Sequence, residues 1–475
     1  IHEISTVAKP VVGIVSSLPI YGGPGNPQVG EPAYKPAWAV ITQLEQMFQV
    51  RQINLDAGPV DEDVDILMLV HPSNLTGIAR YEIDQFVLRG GRALIFVDPL
   101  SEESAKTPDP DNPLAPKNST LPDLFKAWGV EQVPGMLVAD ARAAQRVQTS
   151  EQGRSVVVPY LPWLSLELPN FNPEEVATSQ LGRVTMRSAG RLEPVADSEV
   201  AFVPLIQSSP ESMMLERFYV QFGGNPTALL DRFEAQGIPY TLAARLHGIV
   251  DSAFPNGPMK DEDSTSGSDS TPEPLGELPD NHISQSTEPI NVVVVSDTDM
   301  LVDSTWVQTQ QFMGRALTMP MADNGAFVAN VLELLGGGAN LIGLRTRGTG
   351  LRPFKVVDEL QREAEALFRE TENGLQERLE ETEKKLSEMR SGGGVNLEIL
   401  SEEEETTIAA FQNDLLSIRK QLRDVRHELR KDIEGLGTIL KVINIGGIPI
   451  LVGIIAIFVS LLRRRHRRRA LAMLQ

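Results

Sequence analysis

Residues 63–72, DVDILMLVHP, and 81–99, YEIDQFVLRGGRALIFVDP, decide the fold class. The run 64–70 is short and strongly apolar, which predicts a buried strand. A helix over about 76–89 follows. Gly90 and Gly91 help the chain reverse into a second buried strand at 93–98. Strand, helix and strand in this order are the signature of a parallel sheet with crossover helices. Working outward, residues 11–18 (VVGIVSSL) predict another buried strand, followed by a Gly/Pro-rich loop from Pro19 to Pro36. Trp38, Ile41, Leu44 and Phe48 place a helix over 37–49, and 50–55 forms a strand. A helix near 121–128 and a strand near 136–139 extend the unit.

Beyond residue 150 the pattern changes. Segments 155–160, 163–168, 182–187 and 200–206 predict strands, a helix covers about 226–236, and a strand lies near 239–245. Residues 255–289 hold Pro, Ser, Asp, Glu and Gly with almost no large apolar residue. Such a segment buries too little surface to offset its ordering entropy and predicts a disordered acidic tether. A strand (291–295), a helix (about 322–335) and a strand (341–345) resume the sheet-type pattern. From Val357 to Met389 and from Ile408 to Leu436, apolar residues recur at steps near three and four. Gly392, Gly393 and Gly394 separate the two runs, and Ser401 with Glu404 makes a capping box. An antiparallel coiled-coil hairpin is expected, its tip about 50 Å from the membrane surface. A seam that binds a partner is the other use of such a pattern. Residues 442–462 carry no charge and would span about 31 Å as a helix, near the hydrocarbon thickness. The run Arg463, Arg464, Arg465, His466, Arg467, Arg468, Arg469 then predicts a cytoplasmic C-terminus and the bulk of the chain outside. A signal or an N-terminal anchor is expected ahead of Ile1.

The expected organisation is therefore an α/β domain at 1–145, a second α/β or β-rich portion at 146–254, and a linker at 255–289. A continuation at 290–355, the hairpin at 356–437, a transmembrane helix at 438–463 and a basic tail at 464–475 complete it. The expected fold class is α/β with flavodoxin/amidotransferase-like parallel-sheet lobes, a long antiparallel helical hairpin and a C-terminal transmembrane helix.

Composition excludes several chemistries. A net charge of −21 argues against a nucleic-acid partner. The absence of cysteine removes disulfides, thiolate metal sites and any Cys nucleophile. No P-loop, H-E-x-x-H or G-x-S-x-G occurs, so no catalytic residue, cofactor or metal is assigned. The six histidines are scattered. His71 follows a strand end, the edge where α/β sites sit, and Asp98 ends another strand; together they mark a weak candidate pocket. Asp297, Asp299 and Asp303 would suit a hard cation, although such residues more often cap the following turn. Gly22, Gly23 and Gly25 do not match a dinucleotide fingerprint. Asn74-Leu75-Thr76 and Asn118-Ser119-Thr120 are glycosylation sequons by pattern.

The order of these segments resembles the gliding-motility-associated auxiliary proteins of ABC-type transport systems. The likeness rests on Lys9-Pro10-Val11-Val12, DVDILMLVHP at 63–72, the helix and strand at 81–99, and LAARLHGIVDSAFPNGP at 242–258. It continues through VVVVSDTDML at 292–301, NGAFVANVLELLGGG at 324–338 and LIGLRTRGTGLRPF at 341–354. The resemblance implies an extracytoplasmic, membrane-anchored subunit of the bacterial inner membrane, working with a separate permease and ATPase. An envelope partner at the hairpin tip, 391–401, would fit that role. The first unit is similar to a domain shared with an intraflagellar-transport protein and reminiscent of amidotransferase-like folds, whose Cys nucleophile is absent here. The expected function is non-catalytic coupling of the transporter to an envelope process through the stalk. A stand-alone anchored binding protein for a glycan or other envelope ligand is the alternative, and a hydrolase with an atypical site is a third.

Overall fold

The computed structural model describes residues 9–24, 34–55, 58–106, 117–151, 154–222, 224–259, 278–312 and 315–337, together with Arg378 and Ser417. The chain divides into two compact units, Ile1–Leu351 and Arg352–Gln475, and the architecture below belongs to the first.

Its centre is a nine-stranded sheet. In chain order the strands are β1 (Val11–Ser16), β2 (Gln49–Gln52), β3 (Ile66–Val70), β4 (Arg92–Phe96) and β5 (Val130–Gln132). They continue as β6 (Leu192–Pro194), β7 (Ala201–Gln207), β8 (Thr241–Gly248) and β9 (Ile290–Val295). The spatial order is β2-β1-β3-β4-β9-β8-β6-β5, with β7 also on β8. The half from β2 to β9 is parallel. The half beyond β9 is antiparallel.

The parallel half shows why its strands read as continuous apolar runs. Every residue of β3 is buried, because helices cover both faces of the sheet. Alternate side chains serve opposite faces. Ile66, Met68 and Val70 join the core formed with helices Ala39–Met47 and Asn324–Leu335, whereas Leu67 and Leu69 join the core formed with helices Gly77–Leu88 and Pro122–Ala127. Thr76 starts the Gly77–Leu88 helix, its Oγ1 accepting from Ala79 N at 3.1 Å. Gly90 ends it at φ +97, a left-handed turn that favours glycine.

A smaller β-rich portion follows β5. A two-stranded pair, Met136–Asp140 with Ser212–Glu216, and a three-stranded antiparallel sheet surround a separate core that includes Leu137, Tyr160, Leu161 and Leu215. The three strands are Ala144–Glu151, Arg154–Glu167 and Arg183–Arg187. Arg154–Glu167 is one strand where two were expected; its pairing shifts between Tyr160 and Leu164, around Pro162.

These observations correct the expected fold. The sheet is mixed and continuous, not a set of parallel lobes. The described part of the β8-to-β9 connection has no crossover helix, so β8 meets β9 antiparallel. Among the described residues there is no long helical hairpin; the longest helices, Gly77–Leu88 and Asn324–Leu335, have 12 residues each. No described helix is long and apolar enough to cross a membrane. The segments expected to form the hairpin (356–437) and the transmembrane helix (438–463) lie, apart from Arg378 and Ser417, outside the described residues, as does the strand expected at 341–345.

Candidate functional site

Parallel strands β3, β4 and β9 all end at the same edge, where ligand sites of open α/β sheets form. His71 follows β3, Asp98 follows β4, and Ser296, Asp297 and Asp299 follow β9. This edge carries two different constructions.

The first is a carboxylate knot. Oxygen atoms of Asp98, Asp297 and Asp299 lie within 4.8 Å of one another, and all three residues are buried. Asp303, which the sequence groups with them, is elsewhere: its Oδ1 accepts from Ala39 N at 2.8 Å, at the start of the Ala39–Met47 helix. Each oxygen of the knot accepts a protein donor. Asp98 Oδ1 takes Leu100 N at 2.8 Å, and Oδ2 takes Thr298 N at 2.8 Å and Thr298 Oγ1 at 2.6 Å. Asp297 Oδ1 takes Met300 N at 3.1 Å and Oδ2 takes Arg187 N at 2.7 Å. Asp299 Oδ2 takes Glu102 N at 2.6 Å, and Oδ1 takes Glu103 N at 3.0 Å. Glu102 carries the network onward, its Oε1 accepting from Trp163 Nε1 at 2.7 Å and Ser188 Oγ at 2.8 Å.

Burial is the first cause that holds Asp98 and Asp297 well above the usual carboxylate range, and the neighbouring carboxylates add to it. Burial likewise pushes Asp299 up to about 7. Three such groups could gather a hard cation by geometry alone, yet every oxygen already ties a backbone or hydroxyl group of segments 98–103, 187 and 297–300. The arrangement works as a structural joint.

His71 sits beside the knot along the main chain, its N donating to Phe96 O at 2.9 Å. Its backbone is left-handed at φ +51, and its side chain is 1% exposed. Burial, with the charge of Lys117, lowers its pKa to about 4, so the ring is neutral. Its Nδ1 is buried without a hydrogen-bond partner among the described residues.

The second construction is a cavity of about 300 Å³ next to Pro99. Asn118, Thr120, Gln132, Gly135 and Arg217 line it with Val133 and Pro134. Neither His71 nor Asp98 is among the lining residues. Their link to it is indirect: Ser119, between Asn118 and Thr120, exchanges main-chain hydrogen bonds with Asp98 at 2.8 and 3.2 Å. Gln132 Nε2 donates to Ser296 Oγ at 3.1 Å, which anchors one wall to the end of β9. Arg217 Nη1 donates to Asn118 Oδ1 at 3.1 Å, and Arg217 N donates to Gly135 O at 3.0 Å. Among these, sequence motifs single out Asn118 and Thr120, and only as the first and third positions of a sequon. Arg217 and Gln132 carry no pattern that would flag them.

Comparison with known proteins adds the following. The family described as an ABC-type uncharacterized transport system matches residues 9–331. No curated protein matches the chain. A ThuA-like protein from Bacteroides uniformis ATCC 8492, of known crystal structure, is 10% identical, covering 70% of this chain and 94% of its own, with a TM-score of 0.27. At that score the likeness carries no argument. The matched segment runs from Lys9, just ahead of β1, to Val331 in the closing helix, and so includes every strand of the main sheet: the chain belongs to the family of ABC-transport auxiliary proteins.

Proposed function

We propose that this protein is a non-catalytic auxiliary component of an ABC-type transport system, associating with a separate permease and a separate ATPase. Family membership over residues 9–331 is the observation that carries the proposal. Two further points support it. The sequence carries no P-loop, which fits a system whose nucleotide hydrolysis is done by another subunit. The buried acids at the sheet edge are engaged with protein donors instead of being aimed at a substrate. The part of the role left for this chain is binding and mechanical: a rigid sheet whose edge offers a cavity. We further propose that the described domain lies outside the cytoplasmic membrane, with Arg463, Arg464, Arg465, Arg467, Arg468 and Arg469 at the anionic cytoplasmic leaflet.

Purification of the full chain from its native membrane in mild detergent, with mass spectrometry of what accompanies it, tests the association. A stoichiometric P-loop ATPase and a multi-span permease are expected. Recovery of the protein alone, folded and monodisperse, would overturn the association in favour of a stand-alone binding protein. Protease digestion of intact spheroplasts tests the placement: the described domain is cut from outside, and the basic run is protected.

A further inference from the structure

We infer that the cavity beside the sheet edge binds a small molecule bearing an oxyanion, a carboxylate or a phosphate, with Arg217 as its anchor. The inference does not depend on the transport association, so the two stand or fall separately.

The charge balance comes first. The chain holds 64 Asp and Glu against 43 Lys and Arg, yet among the described residues no acid lines the cavity. Arginines elsewhere in the domain, such as Arg51, Arg80, Arg183 and Arg245, each hold a carboxylate. Arg217 has no acidic partner among the described residues. It donates instead to the neutral Asn118 Oδ1. A lone guanidinium in a concavity of so acidic a chain presents an unfilled, planar set of donors suited to an oxyanion.

The second argument is the donor set. With its Oδ1 committed to Arg217, Asn118 is left with its Nδ2 amide hydrogens, which have no partner among the described residues. The Thr120 hydroxyl has no partner among the described residues either. Guanidinium, amide and hydroxyl donors therefore line one cavity.

The third argument is rigidity. Arg217 N is tied to Gly135 O, and Gly135 turns at φ +67 to place that carbonyl. Gln132 is fixed to Ser296. Pro99, Val133 and Pro134 give apolar walls, so an oxyanion that displaces the water there makes a stronger charge-assisted bond. Donors held in place before binding lose little freedom on binding. The volume of about 300 Å³ lies at the low end for ligand pockets, which limits the occupant to a small molecule or one head group.

The test is thermal unfolding of the purified full chain at constant ionic strength with three probes: glucuronate, inorganic phosphate and, as the neutral control, glucose. A charged probe raises the melting midpoint in proportion to the logarithm of its concentration, and glucose does not. Arg217→Met weakens the charged probe roughly tenfold or more, and Thr120→Val weakens it several-fold with an unchanged midpoint in the absence of probe. Circular dichroism checks the fold of Arg217→Met; should that variant fail to fold, Thr120→Val and Asn118→Ala carry the test. Sedimentation with vesicles of phosphatidylglycerol, against phosphatidylcholine alone, shows whether the oxyanion can belong to a lipid head group. Equal shifts with glucose, no shift with either charged probe at tens of millimolar, or full retention of binding in the folded variants would each overturn the inference.

Discussion

The two constructions at the sheet edge are close neighbours along the chain and opposites in chemistry. At the ends of β4 and β9, three acids lie buried with every oxygen accepting a hydrogen bond. At Asn118, Thr120 and Arg217, by contrast, only one donor bond is made, from Arg217 to Asn118, and the other side-chain donors at the cavity have no acceptor among the described residues. A buried polar group costs free energy unless it is paired, whereas a wetted one does not. The acids can therefore be buried only because the fold satisfies them, and the donors can stay free only because water reaches them. Satisfied groups hold the fold together, and unsatisfied ones are available to a ligand.

This contrast is open to attack, and the largest effect should come from the sheet that supports both sides. Phe96, fully buried at the end of β4, should cost about 3–5 kcal/mol when replaced by alanine, measured by urea unfolding. Asp98→Ala comes next: it orphans Leu100 N, Thr298 N and Thr298 Oγ1, and should cost about 3 kcal/mol. Asp98→Asn keeps one acceptor and should cost less. A cost for Asp98→Ala no greater than that of a surface substitution would show that the knot is not structural.

A change of pH probes the same acids without mutation. Asp299 has a raised pKa in the folded chain, so the folded state keeps a proton that the unfolded chain has released. The stability this confers is full below the ordinary carboxylate range and is lost as pH rises through about 7. His71 acts in the opposite sense: its lowered pKa makes stability fall as pH drops from about 6.5 toward about 4. Comparing the wild type with Asp299→Asn between pH 6.5 and 8.5 isolates the acid contribution, because the titration of His71 in the unfolded chain, near 6.5, is common to both. The midpoint should fall across that window in the wild type and flatten in Asp299→Asn. The smallest effect belongs to the cavity: Arg217→Met should cost at most about 1 kcal/mol, since it removes one partly exposed hydrogen bond and leaves no buried acid behind.

How much of this was legible in the sequence follows from the same physics. β3, β4 and β9 were readable because both their faces are buried, which forces continuous apolar runs such as ILMLV and NVVVV. The strand Ala144–Glu151 (AQRVQTSE) was not, because its apolar residues are few and its partner strand supplies the pairing. The hairpin of Val307–Phe312 with Arg315–Pro320 was missed for the same reason. Asp297 and Asp299 were grouped with Asp303, which lies elsewhere, whereas Asp98 joins them from about two hundred residues away, a juxtaposition that only the placement of β9 beside β4 creates. The cavity draws on four separate segments, and Arg217 stands in the chain as an ordinary arginine between Glu216 and Phe218.

The placement of β9 also bears on how the molecule is made. This strand is the last of the nine in the chain, yet it lies in the interior of the sheet, between β4 and β8. A nascent chain that has emerged only as far as residue 250 has both of those edges unpaired, and each is apolar. Contacts so distant in sequence form slowly, and open apolar edges invite pairing with other chains. Synthesis and any export must therefore deliver residue 295 before the domain can close, and a ribosome stalled short of it would leave a sticky fragment instead of a smaller folded protein.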